Sequence, residues 1–480
     1  MQTRTSLLAL TTALALALPA NAQTAPDSVQ AGDDSPFTMT TLASGLENPF
    51  EITLDPDGFL WVTERTAKRI TRVNTADGTV TPVLTIEDAA YGEDFGQSGV
   101  LGLALHPDFG KGSEQIFVVY SYEDPTRTDL TAPEGDAMRH VFLKVARYDW
   151  TGEALENPTT ILDGLPANSD HVAGRLKFAP DGMLHLTLGD QGHNQLAMAC
   201  RKNEAQRLPS ASEIAVGDYA AYVGKSLRFA PDGAIPDDNP ELGGVRSHVF
   251  TYGHRNPQGI DFAPDGRLYS SEQGPKTDDE LNVLQAGGNY GWPDLAGFQD
   301  DKAYVWASWA NATTPCADLT FSDLEIPDVV PQVAESAYRQ PENYHDPIAT
   351  MFTVETGYDF ADTSVCGDMV YICWPTVAPA SVQVYAGDAI PQFANSLLIP
   401  TLKRGSLYVI PLDGQGGVTE PFTRHFHSDN RLRDTEISPD GKTIWIATDS
   451  AGNFEPVAGG VSNQPANPGA ILAYTYNGTE

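Results

Sequence analysis

The segment "LDPDGFLWVTER" at residues 54 to 65 combines a tight turn with an alternating strand. Its Pro-Asp-Gly turn recurs ahead of similar segments, "FAPDGMLHLTLGD" (178–190), "FAPDGRLYSSEQG" (262–274) and "SPDGKTIWIATDS" (438–450), with degenerate copies at "LHPDF" (105–109) and "FAPDG" (229–233). Proline at the second turn position with a following glycine favours a tight turn, and period-two alternation favours a strand. Each copy therefore predicts a β-hairpin.

Repeated strand–turn–strand units, with almost no helical periodicity, predict an all-β chain. The 480 residues include 43 glycines and 35 prolines, which separate short strands throughout. The repeats predict a six-bladed β-propeller of four-stranded antiparallel sheets, because radial repetition protects sheet edges. A β-sandwich array is the alternative, but it requires linkers that the sequence does not contain. Uneven spacing of the copies predicts long inserted loops at 191–225 and 300–365, and such loops usually build the site of a propeller.

The chain opens with the pattern of a secretory signal peptide, "MQTRTSLLALTTALALALPANAQ" (1–23). An apolar run from Leu7 to Leu18 follows Arg4, and Ala20-Asn21-Ala22 forms a small-x-small cleavage site. We expect residues 1–22 to be removed and residues 23–480 to form a single six-bladed propeller domain. No later apolar run approaches the roughly 20 residues that span a bilayer. The sequence thus predicts a soluble, secreted protein of the periplasm, without membrane insertion.

The charge balance is strongly acidic. There are 64 acidic and 29 basic residues, which give a formal net charge of -35. Such a charge argues against binding to nucleic acid or to an anionic membrane surface. A diffuse acidic surface mainly favours solubility.

Four cysteines in an exported chain most simply form disulfides. Cys366 and Cys373 are close enough in sequence to close a small loop. Cys200 and Cys316 remain for a second pair, and whether they pair stays open. Neither a CxxC spacing nor an HExxH motif is present, so the sequence gives no support for a zinc site.

Five of the scarce basic residues lie close together near the end of the chain: Lys403, Arg404, Arg424, Arg431 and Arg433. Arg431 and Arg433 alternate on a predicted strand, so both should face the same side. Guanidinium groups bind carboxylates or phosphates through two parallel hydrogen bonds. In an acidic protein the cluster predicts a site for a small ligand with several negative charges. A solvated or salt-bridged face is the alternative.

Three further segments carry side chains suited to chemistry. In "SEQGPKTDDELN" (271–282) a strand ends at Gly274-Pro275 and three acids follow, which on their own are typical of a solvated turn. "NSDHVAGRL" (168–176) places Asp170 beside His171, although strand neighbours face opposite sides and can pair only if the backbone bends. "GHRNPQG" (253–259) places Arg255 and Asn256 before a proline turn. None of the three is specific alone.

Together these segments resemble the soluble dehydrogenases of glucose that depend on pyrroloquinoline quinone (PQQ), within the wider glucose/sorbosone dehydrogenase family. The resemblance covers nearly the whole mature chain. Its matching segments, in order, are "TERTAKRITRVN" (63–74), "GQSGVLGLALHPDF" (96–109), "DHVAGRL" (170–176), "GDQGHNQ" (189–195), "GHRNPQG" (253–259), "SEQGPKTDDE" (271–280), "GGNYGWP" (287–293), "CGDMVYICWPTVAP" (366–379), "LKRG" (402–405), "NRLRD" (430–434) and "TDSAGN" (448–453). Looser family members lack the "YICWPTVAP" segment, so the glucose-oxidising branch is favoured.

The resemblance implies a propeller with PQQ over its central channel, held in part by calcium. Backbone carbonyls matching Gly274 and Pro275 bind the Ca²⁺ that also contacts PQQ, and carbonyl oxygen is a hard ligand that suits this ion. A second, structural pair of calcium ions has ligands that match Glu280, Tyr290, Ala296, Phe298, Asp300 and Glu335. Ala296 and Phe298 can supply only backbone oxygen.

The resemblance also implies which side chains bind PQQ and the sugar. Lys403, Arg431 and Arg433 match cationic groups around the three PQQ carboxylates, which fits the basic cluster. Arg255, Asn256 and Thr376 match further cofactor contacts. The sugar contacts match Gln97, Asp170, Gln191, Tyr371 and Trp374.

By the same resemblance His171 is the general base. It accepts the proton of the anomeric hydroxyl while a hydride passes from C1 of the sugar to C5 of the quinone. Arg255 and Ca²⁺ stabilise the charge that develops on the C5 oxygen, and Asp170 stands beside the base. D-glucose and related aldoses would be oxidised to the 1,5-lactone, with electrons passed to an external quinone or dye acceptor. A homodimer is implied as well.

Two regions depart from the resemblance. The insertion at 302–333 carries Cys316 and the loop at 191–213 carries Cys200, and neither cysteine has a counterpart, whereas Cys366 and Cys373 match a disulfide. Because both regions are expected near the site entrance, the sugar preference is open.

Two other functions compete with the dehydrogenase. A calcium-dependent lactonase would need carboxylate and asparagine ligands that converge on the propeller axis, and it would leave the basic cluster without a role. A non-catalytic propeller that binds sugar or protein is the third hypothesis, and failure of the protein to bind PQQ would support it.

Overall fold

The computed structural model describes residues 29–129, 132 and 135–478, so the predicted signal peptide at 1–22 lies outside the described residues. Six main antiparallel sheets are arranged as a six-bladed β-propeller. Five of these sheets have four strands, and one carries a fifth, short strand at its edge. The predicted fold is therefore confirmed.

The blades are built from strands that follow one another in the chain. Two early strands, β1 (Gln30–Ala31) and β2 (Phe37–Ala43), are the exceptions, because they precede blade 1 in the chain and join blades 5 and 6. Blade 1 contains β3 (Pro49–Leu54), β4 (Phe59–Glu64), β5 (Arg69–Asn74) and β6 (Val80–Thr85). Blade 2 contains β7 (Val100–Leu105), β8 (Gln115–Glu123), β9 (Val141–Trp150) and β10 (Leu155–Pro166). Blade 3 contains β11 (Ala173–Phe178), β12 (Leu184–Leu188), β13 (Lys225–Phe229) and, after a small hairpin of β14 (Glu241–Leu242) and β15 (Val245–Arg246), β16 (Val249–Tyr252).

The second half of the ring follows the same plan. Blade 4 contains β17 (Pro257–Phe262), β18 (Leu268–Glu272), β19 (Glu280–Leu284) and, after a long excursion with β20 (Trp306–Ala307) and β21 (Gln332–Val333), β22 (Ala349–Thr350). Blade 5 contains β23 (Gln383–Tyr385), β24 (Ser396–Pro400), β25 (Leu407–Pro411) and β26 (Thr423–His425). Blade 6 contains β27 (Leu432–Ile437), β28 (Thr443–Thr448) and β29 (Ile471–Tyr476).

Helical segments are short and lie in the connections. The α-helices are α1 (Ala211–Val216) and α2 (Val370–Cys373). Single 3₁₀ turns occur at Glu93–Phe95, Leu196–Met198, Ala220–Tyr222, Trp309–Asn311, Cys316–Asp318, Glu335–Ala337 and Pro391–Phe393. Among the described residues, no helix has both the length and the apolar character that a bilayer crossing requires.

The Pro-Asp-Gly turns occupy an equivalent place in four blades. They join the first strand to the second in blades 1, 3, 4 and 6, as the sequence predicts. In blade 1, for example, Asp55 accepts a hydrogen bond from the backbone of Gly58. The copy at 229–233 differs, because it follows the third strand of blade 3.

The ring is closed without a covalent bond between its ends. β2 pairs with β29 from Phe37↔Tyr476 to Ala43↔Ile471, so an early strand completes blade 6. β1 pairs in parallel with β26 at the edge of blade 5.

Innermost strands pack tightly around the axis. A Cβ atom at Gly102 in β7 would lie 2.4 Å from the carbonyl oxygen of Gly174, so only glycine allows this approach. The fully buried Arg175 in β11 donates hydrogen bonds to the carbonyl oxygens of Phe50, Gln258 and Ala380. Because these belong to or adjoin blades 1, 4 and 5, one side chain links four blades.

Candidate active site

The predicted site residues gather where the innermost strands of the blades begin. His171 and Arg255 each lie two positions before an innermost strand, β11 and β17 respectively, and Arg431 directly precedes β27. Innermost strands of a propeller all run in the same direction along the axis, so their starts meet at one end of the channel. Loops between blades thus bring together residues that are far apart in sequence.

His171 is oriented by a buried carboxylate that sequence reasoning did not single out. Its Nδ1 lies 2.6 Å from Oδ1 of Asp190. Asp190 is fully buried and also accepts hydrogen bonds from Asn203 at 3.0 Å and from the indole of Trp292 at 2.7 Å. Burial alone would raise the pKa of Asp190, but His171, and then Arg255, hold it below the ordinary value. An ionised Asp190 fixes the tautomer in which Nδ1 carries the proton and Nε2 is free to accept one.

Gln195 connects the imidazole to a guanidinium. Its amide nitrogen lies 2.9 Å from His171 Nε2, and its amide oxygen accepts a hydrogen bond from Arg255 at 3.1 Å. Arg255 also donates to the carbonyl oxygen of Gln273 at 3.0 Å. His171, Gln195 and Arg255 therefore form one hydrogen-bonded row.

Asp170 lies on the opposite side of the imidazole from Asp190. The backbone bends at His171, where φ is +46°, and this brings Asp170 Oδ2 to 3.8 Å from His171 Nε2. Gln97 donates a hydrogen bond to the other carboxylate oxygen of Asp170 at 2.5 Å. The predicted sugar contacts Gln97 and Asp170 are thus brought together beside the predicted base.

The side chains of the other predicted sugar contacts, Gln191, Tyr371 and Trp374, form hydrogen bonds outside this cluster. Gln191 is 1% exposed, and its amide donates to the carbonyl oxygen of Gly189. Gln195, and not Gln191, places its side-chain amide next to the imidazole of His171. Tyr371 is exposed and accepts a hydrogen bond from Asn453, while the indole of Trp374 donates to the carbonyl oxygen of Phe360.

Arg431 and Arg433 face the same side, as predicted from their alternation. Both hydrogen-bond to Asp449, at 3.1 Å from Arg431 and 2.8 Å from Arg433. Burial would raise the pKa of Asp449, but Arg433 and Arg431, with Arg65, lower it to about 2. Each guanidinium has five N–H donors, and Asp449 engages only part of them.

One cavity of about 220 Å³ joins this cationic cluster to the sugar side of the site. It is lined by Phe50, Arg65, Gln97, Ala173, Gln258, Gln273, Leu402, Arg431, Arg433, Asp449, Ala451 and Gly452. Gln97, which contacts Asp170, lines this cavity together with three guanidinium groups, those of Arg65, Arg431 and Arg433. The cavity can therefore hold a polyanion next to a neutral polar ligand.

The remaining predicted cofactor contacts lie beside this cavity. Lys403 donates to the hydroxyl of Thr376 at 2.7 Å and to the carbonyl oxygen of Trp374 at 3.2 Å. Burial, followed by the charge of Arg404, lowers the pKa of Lys403, while Asp279 opposes the shift. Asn256 is fully buried and donates to Gln273, a residue that lines the cavity.

Gly274 and Pro275, the predicted carbonyl ligands of calcium, lie near these contacts. Asp279 accepts a hydrogen bond from the backbone of Gly274 at 2.8 Å, and its other oxygen accepts from the backbones of Val377 and Ala378. One carboxylate therefore ties the Gly274 turn to the segment that carries Thr376.

Four acids beyond this turn, Asp278, Glu280, Asp300 and Glu335, lie close together. Glu280 accepts from the backbone of Gly297 at 2.6 Å, and Glu335 accepts from Ala296 at 3.2 Å, so the 296–300 segment lies between them. Burial, and then Asp300 and Asp278, raise the pKa of Glu335 to about 8. Such mutual repulsion of buried carboxylates is relieved when a divalent ion binds.

Geometry supports this cation only in part. Within 29–129, 132 and 135–478 no three or more His, Cys, Asp or Glu side chains are arranged to hold a metal. The predicted ligand set differs from such a group because it relies on backbone oxygens at Ala296 and Phe298. Tyr290 also could contribute only its carbonyl, since its hydroxyl donates to Val283 at 2.6 Å.

Both cysteine pairs are joined. Cys366 and Cys373 form a disulfide with a Cα–Cα distance of 6.0 Å, as expected. Cys200 and Cys316 form the second, at 5.5 Å, which answers the question that the sequence left open. The second bridge connects the loop that bears Gln195 to the insertion at 302–333.

Sequence reasoning missed three residues of the site, Asp190, Gln195 and Arg65. The first two stand in the matched segment "GDQGHNQ", but nothing in that segment tells which side chain turns toward His171. Arg65 directly follows β4, and its basic side chain in an acidic chain was the available signal.

Comparison with known proteins identifies the family of this chain. The sequence model of the family described as glucose/sorbosone dehydrogenase matches residues 46–309 and 340–455. Quinoprotein glucose dehydrogenase B of Acinetobacter calcoaceticus is 41% identical over 92% of this chain and 91% of its own length. Aldose sugar dehydrogenase YliI of Escherichia coli is 24% identical over 88% of this chain and 92% of its own.

Solved structures share the fold. The PQQ-bound aldose sugar dehydrogenase of Streptomyces coelicolor superposes with a TM-score of 0.59 at 23% identity, and covers 92% of this chain and 98% of its own. At this identity the likeness supports the propeller architecture alone. On the family match and the identity to the Acinetobacter protein, the chain belongs to the glucose/sorbosone dehydrogenase family.

Proposed function

We propose that this protein is a sugar oxidoreductase that oxidises D-glucose and related aldoses at C1 to the 1,5-lactone with bound PQQ. The observation that carries the proposal is the cavity of about 220 Å³ that joins Gln97, next to Asp170 and His171, to Arg431 and Arg433. Membership of the family and the name of the 41% identical relative support the same activity.

His171 is the general base of the proposed reaction. Asp190 accepts a hydrogen bond from Nδ1–H of His171, so the lone pair of Nε2 points toward the Gln195 and Asp170 side. An aldose bound there would place its anomeric hydroxyl against Nε2 in place of the Gln195 amide, and Nε2 would accept the proton. Gln97 holds Asp170 in position to accept a hydrogen bond from a sugar hydroxyl.

The cationic residues bind and orient the cofactor. PQQ, when bound, supplies the hydride acceptor. Lys403, Arg431 and Arg433 offer charge-assisted hydrogen bonds to its carboxylates. Thr376 and Asn256 belong to the same group of contacts. Arg255 is linked to His171 by the side chain of Gln195, and at this position it can stabilise developing negative charge.

Calcium is proposed to bind at two places. Gly274 and Pro275 would hold the ion that also contacts PQQ, and Glu280, Tyr290, Ala296, Phe298, Asp300 and Glu335 would hold structural calcium. The raised pKa of Glu335, caused by burial and by Asp300 and Asp278, supports a cation in that cluster.

Reconstitution tests the proposed function directly. PQQ and Ca²⁺ are added to the purified apo protein, and reduction of a dye is followed with glucose and other aldoses. We expect sugar-dependent reduction that requires both additions. Failure to reduce dye with any aldose, despite bound PQQ, would contradict the proposal. Hydrolysis of lactones without PQQ would instead support the calcium-dependent lactonase, which gives no role to the cationic end of the cavity.

Cellular placement and partners complete the proposal. We propose export to the periplasm, since both disulfides favour an oxidising compartment. An external quinone is proposed as electron acceptor, and a homodimer as the assembly, on the family likeness. Light scattering of the purified protein measures the assembly.

A further inference from the structure

The insertion (residues 302–333) lies largely outside the match to the family model. The family match stops at residue 309 and resumes at 340, so most of the insertion has no counterpart in the family model. The insertion nevertheless has a defined structure, with the strands β20 and β21 paired at its ends. Its contacts indicate its function.

Covalent and apolar contacts fix the insertion to the loop that carries Gln195. Cys316 of the insertion is bonded to Cys200. Ala199, Trp309 and Val330 form a buried cluster, with Phe321 packed on Trp309 at a centroid distance of 5.2 Å. The loop and the insertion are therefore held together as one unit.

Polar contacts extend this unit into the site. Asn194, the residue before Gln195, donates to the carbonyl oxygen of Ala307 at 2.8 Å and accepts from the backbone of Ala310. Lys276, the residue after Pro275, donates to the backbone carbonyl of Asp323 at 2.8 Å. The insertion is thus held against both Gln195 and the Gly274–Pro275 turn.

One acid of the insertion, Asp323, borders the candidate site. It lines a small cavity of about 60 Å³ together with Gln195, Pro275, Trp292 and Phe321. Among residues 29–129, 132 and 135–478, no hydrogen bond or ion pair engages its carboxylate. Burial raises the pKa of Asp323, and the charges of Arg255, Lys276 and His171 oppose the shift, so the carboxylate lies within electrostatic range of the catalytic row.

We propose that the insertion forms the outer wall of the sugar site and that Asp323 binds substrate, by accepting a hydrogen bond from an aldose hydroxyl other than that at C1. The inference rests on the proposed function. A carboxylate is an acceptor only, and sugar hydroxyls are donors, so the two are complementary. The C1 hydroxyl is assigned to His171, which leaves the hydroxyls farther along the ring for Asp323.

Asp323→Ala should raise KM for glucose by about 10- to 100-fold, as expected for one charge-assisted hydrogen bond. The value of kcat and the Kd for PQQ should stay near those of the parent. Asp323→Asn, which keeps an acceptor oxygen, should restore part of the affinity. Asp328→Ala removes an exposed acid from the same insertion and serves as the matched control.

Deoxy sugars identify the hydroxyl that Asp323 contacts. Removing that hydroxyl should raise KM in the parent and in Asp328→Ala, but cause no further rise in Asp323→Ala. Calorimetric titration of reduced holoenzyme with glucose, without an electron acceptor, gives sugar affinity apart from turnover and should show the same loss.

Equal KM and equal sugar affinity for Asp323→Ala and Asp328→Ala would overturn the inference. So would a selective loss of PQQ affinity in Asp323→Ala, because it would place Asp323 at the cofactor. These outcomes differ from failure of the proposed function, in which the parent itself oxidises no aldose.

Discussion

At the residue scale, the site depends on charges that lie close in space and far apart in sequence. Asp190 follows His171 by 19 residues, and Asp449 follows Arg431 by 18. In both pairs a buried carboxylate holds its partner side chain, the imidazole of His171 or the guanidinium of Arg431, in one orientation. The pairs divide the site into a base and an anion-binding end, and each end can be tested separately.

His171→Gln should slow reduction of bound PQQ by glucose by about 10²- to 10⁴-fold, the usual contribution of a positioned base. Affinity for PQQ should remain close to that of the parent, because the proposed cofactor contacts are made by other residues. Stopped-flow reduction and a PQQ titration of the same variant measure the two quantities. Near-normal reduction would remove His171 as the base, and lost PQQ binding would make its role structural.

Asp449 should make the apo protein sensitive to acid. Its folded pKa of about 2 lies below the ordinary value of 3.8 for an aspartate, so its carboxylate stabilises the fold above pH 3.8, and this stability is lost as pH falls toward 2. The shift corresponds to about 2 kcal/mol. Denaturant unfolding between pH 5 and 2 should show this loss in the parent and not in Asp449→Asn. Parallel curves for the two proteins would contradict the assignment.

Much of the candidate site could be predicted from the sequence, because matched segments carry residue identity. His171, Arg255, Lys403, Arg431 and Arg433 all lie at one end of the channel, as expected. Orientation could not be predicted, since a segment such as "GDQGHNQ" does not show that Gln191 turns inward while Gln195 meets His171. Asp323 could not be predicted as a site residue, because the insertion that carries it contains none of the matched segments.

At the scale of the elements, short sequence patterns predicted the β-hairpins but not the strand pairing that closes the propeller ring. Proline and glycine act within a few residues, so the Pro-Asp-Gly turns could be placed from sequence. The pairing of β2 with β29 joins residues more than 400 positions apart, and no local pattern encodes it. The unpredicted strand is the one that completes blade 6.

The two disulfides should differ in what they stabilise. Cys200 and Cys316 close a loop of 116 residues, and Cys366 and Cys373 one of 7. By the chain-entropy relation these contribute about 5 and about 2 kcal/mol, respectively. Cys200→Ser with Cys316→Ser should therefore lower the melting temperature more. Cys366→Ser with Cys373→Ser should lower turnover more, because the adjoining Trp374 and Thr376 contact Lys403.

Melting curves and turnover of both double variants, measured beside the parent, compare the two effects. Equal loss of stability would contradict the loop-length argument. Intact turnover without the Cys366–Cys373 bridge would show that the segment holds Trp374 and Thr376 in place unaided.

At the scale of the whole molecule, the closure of blade 6 should determine cooperativity. Removing residues 37–43 deletes β2, which leaves β29 as an open edge and breaks the ring. We expect a lower melting temperature and aggregation that increases with protein concentration. Removing residues 30–31, which deletes only the short edge strand β1, is the control and should change little. Similar melting curves for the two deletions would show that closure by β2 is dispensable.

Calcium should connect the blades to the cofactor, so its removal should act on the whole molecule. The Gly274 turn is tied through Asp279 to the segment bearing Thr376, and the acids Glu280 and Glu335 enclose the 296–300 segment. A ligand that binds only the folded state at 100 times its Kd stabilises that state by about 2.7 kcal/mol. Chelation with EDTA should therefore lower the melting temperature and release PQQ, and added Ca²⁺ should reverse both effects. EDTA saturated with Ca²⁺ is the control. Unchanged melting with retained quinone absorbance after exhaustive chelation would show that PQQ is held by Lys403, Arg431 and Arg433 without the metal.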